Sequence, residues 1–528
     1  MPPSMPRRLA VSRASAFAAL LFAILIVPTH APVHAEDRNE TRFFVTFDRG
    51  EDLGQSFGTL FEVDSADGSL TFGAGFQNLY NTYVRGDRHA VQFFVRPAKG
   101  SRPVRAETLP RPNALCGTYL ESRDEVVRSV SGPPKSWDSA KMEWRDDPSP
   151  LDAMRVADGL LDWTGGSVRY KGVTILPAPE SGVYTRFYYA NGHLCFYHVD
   201  RRDRGYRPWT SDADGFSKLW ACPWKPGQDR VDLASAVALT LPVVGETTFA
   251  WGQLGSKIVT GSNIGGFYVF DAGRWSMLLR PNLEKSYQLY SSMAYGDRLL
   301  MGQYPTGRLF AYDGQSITDL DGWPPVPKGV SGSSREAQTT AIYGGELFLG
   351  VWPWGELWSL HPKREEWRFE RRMFDHPAPS ADVIHPYDVE NVNHPIKNQW
   401  GQRVTSLVTS GPALFVSTSA KDPCPWDPVQ NPFLAPEKWK SYGAVHRLEM
   451  PGHLGAAIEW TDGPLTLEFR AGPDALTILR EGKTLARAPV SGELSQQLAT
   501  LKKLGSPTWG RGLYGPFAGR SVTGRVER

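Results

Sequence analysis

Short runs in which apolar and polar residues alternate recur along the chain, separated by turns that contain glycine. The run Arg298–Tyr304 is followed by Pro-Thr-Gly and then by a second alternating run. The same pattern returns 48 residues later, so that Gly302 aligns with Gly350 and Gly307 with Gly355. Alternation with a period of two predicts β-strands that bury one face, and the glycines predict the tight turns between them.

Further copies of this unit lie on both sides of the clearest pair, at residues 257–271, at 413–417 with 442–448 and, more faintly, at 192–198 and 58–64. Each copy has a strand before it and a polar–aromatic strand after it, such as Thr339–Tyr343 and Glu366–Glu370. Four strands per unit and a period of 40–48 residues are typical of propeller blades. We therefore predict an all-β fold, a β-propeller over residues 36–450 with about seven four-stranded blades, within a range of six to eight. A pair of large β-sandwiches is the alternative.

Residues 451–528 depart from the repeat. Three short strands are predicted at Leu465–Phe469, Ala475–Arg480 and Lys483–Ala488, followed by a helix near 493–504 and a glycine-rich tail. Two interpretations stay open for this segment, a small C-terminal β appendage and a piece that closes the ring.

The composition agrees with a large folded chain that has many turns. Hydrophobic residues make up 41% and charged residues 22% of 528 residues, and the chain holds 52 glycines and 42 prolines. Lysine and arginine number 58 and aspartate and glutamate 56. This near balance excludes the strongly basic surface of a nucleic-acid-binding protein.

Residues 1–35 have the features of an export signal. Arg7, Arg8 and Arg13 precede the apolar stretch Ala16–Val27, and Val-His-Ala at 33–35 fits a cleavage site. The stretch is shorter than the roughly 20 residues of a membrane span, although a retained anchor is the alternative. We predict an exported protein, periplasmic or extracellular, that keeps no membrane contact after cleavage.

Four cysteines, Cys116, Cys195, Cys222 and Cys424, follow the predicted cleavage site. An even number of cysteines in an oxidising compartment suggests disulfide bonds. We favour a Cys195–Cys222 bridge because both residues are expected on neighbouring strands. Buried free thiols are the alternative.

Aromatic residues lie in the predicted loops between the second and third strands of several blades. In a propeller these loops share one face with the connections between blades. Such loops contain Tyr189, Tyr304, Trp352 and Trp354. Exposed aromatic rings can stack on the apolar faces of sugars, so we predict that these four residues bind substrate. The alternative is that these rings pack between adjacent blades.

The starts of the predicted inner strands point toward the central channel. Glu246, Tyr290, Gln338 and Arg403 occupy this position, and we predict that Tyr290 and Gln338 contact substrate. A polar lining that only binds solvent is the alternative.

The longest predicted connection between blades, residues 374–402, is rich in titratable side chains. His385, Tyr387 and His394 lie in it, and Arg403 starts the next inner strand. These groups suit removal of a proton α to a carboxylate, because a base takes the proton, an acid protonates the leaving oxygen and a cation holds the enolate-like charge. We predict these four as catalytic residues. A solvated surface loop is the alternative.

Motifs for metals and cofactors are weak. Asp64–Gly68 and Asp212–Gly215 space acids before glycine as calcium loops do, but neither continues with the glutamate of an EF-hand. Hairpin turns are the preferred interpretation. We predict no metal site and no cofactor, with calcium as the weaker alternative.

The export signal, the propeller and the face rich in Tyr, His and Arg together resemble secreted β-propeller polysaccharide lyases, of which ulvan lyases are an example. The resemblance covers the architecture of residues 40–450. It implies a lyase that cleaves uronate-containing polysaccharide by β-elimination, with His or Tyr as base or acid and Arg against the carboxylate. The expected partner is an acidic polysaccharide. A non-catalytic propeller that binds a glycan or a protein is the alternative, and the oligomeric state is left open.

Overall fold

The computed structural model describes residues 40–82, 84–99, 102, 104–201, 214–284, 288–387, 399–421 and 423–528. Within these residues there are seven antiparallel sheets that each contain four consecutive strands from an inner to an outer edge. We number these sheets as blades 1 to 7 along the chain. The prediction of an all-β propeller with about seven blades is confirmed. Pairing of every strand within a blade leaves only short edges exposed, which limits aggregation through unpaired backbone groups.

Blade 1 consists of Leu120–Arg123, Val126–Ser129, Lys135–Asp138 and Glu143–Asp146. Blade 2 consists of Ala153–Val156, Gly159–Asp162, Val168–Tyr170 and Val173–Leu176. Blade 3 consists of Val183–Ala190, His193–Arg201, Gly215–Pro223 and Val237–Thr240. Blade 4 consists of Thr248–Leu254, Lys257–Ser262, Phe267–Asp271 and Arg274–Leu279. Blade 5 consists of Gln288–Tyr295, Arg298–Tyr304, Leu309–Tyr312 and Ile317–Leu320. Blade 6 consists of Glu336–Tyr343, Glu346–Trp352, Glu356–His361 and Glu366–Arg372. Blade 7 consists of Arg403–Ser410, Ala413–Ser419 and Val445–Glu449, with Arg105–Leu109 as its outer strand. Short 3-10 helices lie at Thr164–Gly166 and Trp439–Ser441.

An early segment of the chain closes the ring. Arg105–Leu109 pairs antiparallel with Val445–Glu449, the third strand of blade 7. Blade 7 also meets blade 1, where the backbone N–H of Leu120 donates to the Ser406 hydroxyl at 2.8 Å. The segment after residue 450 therefore does not close the ring, because a strand from before blade 1 completes the last blade.

The glycines that revealed the repeat occupy equivalent positions. Gly302 and Gly350 lie in second strands, opposite a one-residue bulge in the first strand. A Cβ at Gly302 would lie 2.2 Å from the Ala337 carbonyl oxygen, and one at Gly350 would lie 2.6 Å from the Val404 Cβ. Glycine is needed here because the inner strand of the next blade approaches closely. The bulged residues of blades 4 to 7 are Phe249, Tyr290, Gln338 and Thr405.

Residues near both ends of the described chain form a second unit, a β-sandwich of two five-stranded sheets. One sheet has the order Lys483–Pro489, Ala475–Arg480, Pro464–Ala471, Thr41–Asp48, Ser521–Glu527. The other has the order His453–Ala457, Ala90–Pro97, Leu70–Phe76, Thr59–Asp64, Thr508–Trp509.

This arrangement differs from the expected division into residues 36–450 and 451–528. Thr41–Asp48 is paired along its whole length with Pro464–Ala471, so the two ends of the chain share one core. Phe43 stacks on Phe61 with ring centroids 4.7 Å apart in that core. The faint repeat at 58–64 is a sandwich strand rather than part of a blade, because alternation is common to all half-buried strands.

The helix expected near 493–504 is present as Gly492–Thr500. Leu494 and Leu498 are buried and belong to the same hydrophobic cluster as the sandwich phenylalanines. Their spacing of four places both side chains on one face of the helix, and this face covers one end of the sandwich core.

One loop of the sandwich enters the propeller. Residues 77–89 connect the paired strands Leu70–Phe76 and Ala90–Pro97, and we call them the channel hairpin. Within it, the short strand Leu79–Asn81 pairs with the inner strand of blade 5 and with Val84–Arg85. The inner strands of a propeller line the central channel, so the hairpin fills part of this channel.

Side chains of the channel hairpin bind the inner strands of several blades. Gln77 Nε2 donates to Thr409 of blade 7 at 3.1 Å, and Gln77 Oε1 accepts from the Ile342 backbone of blade 6 at 2.8 Å. The Thr82 hydroxyl donates to the Tyr290 carbonyl of blade 5 at 2.8 Å. These contacts hold the sandwich and the propeller in one arrangement.

The favoured Cys195–Cys222 bridge is not formed. Both residues lie on neighbouring strands, as expected, but Leu194 pairs with Cys222 and Cys195 with Ala221. The offset of one residue places the two thiols on opposite faces of the sheet, in different hydrophobic clusters. None of the four cysteines, all of which lie among the described residues, forms a disulfide bond, and Cys116, Cys195 and Cys222 are buried.

The predicted export signal, residues 1–35, lies outside the described residues. Among the helices that the structure describes, none is long and apolar enough to cross a membrane. Asp64–Gly68 is the hairpin turn expected for this acidic segment, in which Asp67 accepts hydrogen bonds from Ser65 and Ser69. In the second acidic segment, Asp212–Gly215, the first two residues lie outside the described residues.

Candidate functional site

The two faces of the propeller differ in what covers them. The hairpins between first and second strands lie against the sandwich, as shown by the Gly192 N–H that donates to the Leu53 carbonyl at 2.8 Å and the Gly296 N–H that donates to the Leu513 carbonyl at 2.9 Å. The loops between second and third strands lie on the opposite face with the connections between blades. The candidate site lies on this second face, at the channel mouth that the described residues form.

A pocket of about 410 Å³ lies at this mouth of the channel, and we call it the funnel pocket. The tip of the channel hairpin contributes Thr82 to its wall, beside residues from blades 1 to 3. The lining side chains that carry chemistry are Tyr119, Glu121, Asp152, Trp163, Tyr184 and Arg186.

Arg186 is the cation of the funnel pocket. It lies at a bulge in the inner strand of blade 3, between Thr185 and Tyr188, and has a φ of 58°. A left-handed conformation costs free energy for a residue other than glycine, and such strain concentrates at functional sites. The half-buried guanidinium lies 5.9 Å from the Phe249 ring centroid, and no carboxylate of the described residues pairs with it.

Aromatic rings form two walls of the pocket. Trp163 stacks on Phe187 with ring centroids 6.0 Å apart, and Tyr184 packs against Phe196 at 4.5 Å. Both Trp163 and Tyr184 are only half-buried, so part of each ring faces the pocket. Burial raises the pKa of the Tyr184 hydroxyl, which therefore stays protonated at neutral pH and can donate a hydrogen bond.

The carboxylates of the pocket differ in their partners. Glu121 is buried and forms ion pairs with Arg128 and, at 2.9 Å, with Arg123. Asp152 is exposed at the connection into blade 2. The arrangement of one unpaired cation, aromatic faces and hydrogen-bonding groups can bind a ligand that is both anionic and rich in hydroxyls.

The structure places the predicted aromatic residues inside the fold rather than at an opening. Tyr189 lies at the first hairpin of blade 3, on the sandwich side, with its hydroxyl donating to the Trp224 carbonyl at 3.1 Å. Trp352 and Trp354 are 2% and 1% exposed. Tyr304 is half-buried. Tyr189, Trp352 and Trp354 are therefore packed inside the fold in this structure, and of the four predicted rings Tyr304 is the one with a partly exposed side chain.

Tyr290 and Gln338 do lie at the channel, as expected. They occupy equivalent bulges of blades 5 and 6. Tyr290 stacks on Phe249 at 5.1 Å and donates to Gln288 at 2.8 Å. Gln338 is 2% exposed, and neither atom of its amide has a partner among the described residues. Both are buried in this structure, which separates them from the funnel pocket.

Arg403 contacts groups of its own chain. The guanidinium is buried, donates to the Lys421 carbonyl at 2.9 Å and lies 3.5 Å from the Glu336 carboxylate. Burial raises the pKa of Glu336, and the opposing Arg403 guanidinium partly offsets this effect. The guanidinium already faces a carboxylate of its own chain.

The two other predicted catalytic residues that the structure describes, His385 and Tyr387, each form a hydrogen bond within their own loop. His385 is buried and its Nδ1–H donates to the adjacent Pro386 carbonyl at 2.8 Å. The Tyr387 hydroxyl shares a 2.8 Å hydrogen bond with His376 Nδ1, and burial lowers the pKa of His376 to about 4. His394 lies outside the described residues.

Sequence reasoning missed Arg186, Trp163 and Tyr184 because it assigned blade 3 one strand out of register. A loop between second and third strands at Tyr189 implies that the faint copy at 192–198 is a third strand, whereas His193–Arg201 is the second strand of blade 3. A signal was present: Asn191-Gly192 before an apolar strand matches Gly296-Asp297 and Gly344-Gly345, which are first hairpins. This alignment would have placed Tyr189 on the sandwich side and Arg186 near the funnel.

Comparison with known proteins adds no functional assignment. No protein-family profile and no curated protein sequence matches the chain. Similar solved structures include a computationally designed protein, Ika8, at 12% identity over 76% of this chain and 99% of that chain, with a TM-score of 0.33. YCF48 from Cyanidioschyzon merolae matches at 11% identity over 59% and 98% of the two chains (TM-score 0.29), and BamB from Moraxella catarrhalis at 10% over 59% and 83% (TM-score 0.26).

Proposed function

We propose that this protein is an exported carbohydrate-binding propeller whose funnel pocket binds an acidic saccharide. The observation that carries the proposal is Arg186, a cation without a carboxylate partner among the described residues, placed by a strained bulge in a pocket walled by aromatic rings. The sugar carboxylate would pair with this guanidinium, which can bind both carboxylate oxygens.

The other walls of the pocket suit the body of a sugar. Trp163 and Tyr184 present part of their ring faces, and the apolar faces of sugar rings pack on such surfaces. Asp152 and the Tyr119 side chain supply polar atoms for sugar hydroxyls. The pocket volume of about 410 Å³ lies within the range of about 300–1,000 Å³ that is typical of ligand sites.

A lyase acting in the same pocket is the second candidate. It is favoured by the presence of Tyr119 and Tyr184 beside Arg186, since β-elimination from a uronate needs a neutralising cation and groups that transfer protons. The proton α to the carboxylate would pass to a base, and the oxygen at the β carbon would leave with a proton from an acid. The product would carry a carbon–carbon double bond that absorbs ultraviolet light.

The two candidates are separated by one panel of polysaccharides. Alginate, polygalacturonate, ulvan and neutral dextran are tested with the full-length protein for binding by affinity electrophoresis and for ultraviolet absorbance of unsaturated products. Binding of acidic chains without a rise in absorbance supports the binding protein, and a rise in absorbance supports the lyase. Equal retardation by dextran and by the acidic chains would contradict both.

Variants connect the result to the pocket. Arg186→Gln should weaken binding of the acidic chain about 10- to 150-fold, because a charge-assisted hydrogen bond contributes about 1.5–3 kcal/mol. Arg371→Gln is the matched control, since Arg371 is another half-buried arginine, on the outer strand of blade 6. If the two variants bind alike, the ligand does not occupy the funnel pocket.

A further inference from the structure

A larger cavity lies on the other side of the propeller, between blades 4 to 6 and the sandwich. Its volume is about 830 Å³, and we call it the interface cleft. Hairpins of the blades form one wall, and sandwich strands with the tail near residue 512 form the other. Clefts between structural units are frequent sites of ligand binding.

Arg96 lies at the inner wall of the interface cleft and is 1% exposed. Its Nη1 donates to the carbonyl of Gly345, at the first hairpin of blade 6. Its Nε and Nη2 have no hydrogen-bond partner among the described residues. The guanidinium is therefore fixed by one nitrogen, while the other two nitrogens remain as a pair of unused donors.

The two unused nitrogens form the side of the guanidinium that binds carboxylates best. Nε–H and the neighbouring Nη2–H point in parallel and match the spacing of the two oxygens of a carboxylate. Burying a cation whose donors find no partner in the protein costs free energy. An anionic ligand would remove this cost.

The described groups around Arg96 do not pair with its two unused nitrogens, so an anionic ligand could bind there. Two carboxylates act electrostatically on Arg96, and both have other partners. Glu62 accepts a hydrogen bond from the Leu513 backbone at 3.0 Å, and Glu346 forms ion pairs with Arg368 and, at 3.1 Å, with Arg102. The Tyr295 hydroxyl also lines the cleft, is buried and has no partner among the described residues. Burial raises the pKa of Tyr295, so this hydroxyl stays protonated and can donate.

We propose that the interface cleft is a second binding site, which takes a small carboxylate-bearing ligand on the Nε/Nη2 side of Arg96 with a further hydrogen bond from Tyr295. Apart from Arg96 and Glu62, the cleft is lined by three cations, Lys257, Lys363 and Arg511, and two carboxylates, Asp297 and Asp313, so this part of the lining carries a net positive charge. The site is independent of the funnel pocket, which lies on the opposite face. Because neither unused nitrogen of Arg96 is exposed to solvent, the cleft wall must shift slightly before the carboxylate reaches it.

The test is titration calorimetry of the full-length protein with sodium D-glucuronate and with sodium acetate, at constant ionic strength set with sodium chloride. Each titration is repeated in an Arg186→Gln background, so that binding in the funnel pocket is separated from binding in the cleft. We expect saturable binding that survives Arg186→Gln. Failure of the funnel proposal would leave this result unchanged.

Two variants assign the binding to the cleft. Arg96→Gln should weaken it about 10- to 150-fold, as expected for loss of a charge-assisted contact. Tyr295→Phe should weaken it about 2- to 12-fold and leave the unfolding temperature of the ligand-free protein unchanged, since the hydroxyl has no partner to lose. Arg520→Gln is the control for net charge, because Arg520 is exposed and distant from the lining of the cleft.

The proposal is overturned if glucuronate and acetate give no saturable heat, or if Arg96→Gln and Arg520→Gln bind like the parent. If Arg96→Gln fails to fold, Tyr295→Phe decides: unchanged affinity in this variant refutes the site. Chloride that competes as well as acetate would show a general charge effect and would also refute it.

Discussion

Replacing Glu125 with glutamine should make the protein more stable at alkaline pH. Glu125 lies at the tip of the first hairpin of blade 1; the residue is half-buried, and its carboxylate Oε1 is inaccessible to solvent beside Gly455 of the sandwich. Burial, with the nearby Asp87 carboxylate, raises its pKa to about 8. The backbone N–H of Gly411 donates to one oxygen, and the other oxygen has no partner among the described residues.

The local contacts explain why the neutral form is preferred. The unpartnered Glu125 oxygen lies near the Gln92 side-chain oxygen, since a Cβ built on Gly455 would be 2.9 Å from the first and 3.2 Å from the second. Two acceptors repel unless one of them carries a proton. Protonated Glu125, or glutamine at this position, can donate to Gln92 and keep the contact with Gly411.

The magnitude follows from the raised pKa. The unfolded chain releases this proton near pH 4.5, whereas the folded chain holds it to about pH 8. Between these values the folded state binds more protons, so stability falls as pH rises, by about 1.4 kcal/mol for each pH step at most. Asp87, whose burial raises its pKa to about 6, acts in the same direction. The difference in the free energy of unfolding between Glu125→Gln and the parent should therefore increase, in favour of the variant, by on the order of 4 kcal/mol from pH 5 to pH 8.

The assay is guanidinium chloride unfolding of the parent and the variant at pH 5, 6, 7 and 8. The control is Glu365→Gln, because Glu365 also has a positive φ, 50°, at a hairpin but is exposed. We expect the denaturant midpoint of Glu125→Gln to rise relative to that of the parent as the pH increases. Parallel pH profiles of the two proteins would refute a buried, protonated Glu125.

Three further outcomes are expected. Gly350→Ala should destabilise the protein by about 1–3 kcal/mol through overpacking in thermal unfolding, whereas Gly332→Ala, with ordinary contacts, should not; equal effects would contradict the close approach of the blades. Peptide mapping without reductant should find no Cys195–Cys222 link, and detection of this link would mean that the strand register is wrong. Trp163→Ala should weaken binding of acidic polysaccharide about 2- to 12-fold, the value of an aromatic contact, and unchanged retardation in affinity electrophoresis would remove the ring from the site.

The placement of the site could be predicted only in part. The repeat placed Tyr290 and Gln338 on inner strands, and both occupy bulges of inner strands in the structure. The catalytic group did not follow, because residue type does not report burial. Arg403 has the chemistry of a carboxylate binder, but it is buried beside Glu336 of its own chain. Trp352 was expected in an open loop and is covered by neighbouring residues such as Gly401.

The sequence by itself determined the class of the fold. Alternation with a period of two makes strands, glycine at Gly302 and Gly350 allows adjacent blades to approach, and the interval between copies gives the length of one blade. These features depend on local backbone geometry and on immediate neighbours, so they can be read from short stretches of chain.

Only the tertiary structure decided which distant strands pair and what fills the channel. Thr41–Asp48 carries the same alternation as a blade strand, yet it pairs with Pro464–Ala471. The choice of partner depends on the free energy of the whole core, to which residues from both ends of the chain contribute. The funnel pocket exists in its observed form because the channel hairpin, held by contacts to four blades, occupies the rest of the opening. Alternation specifies the buried face of a strand, but not its partner.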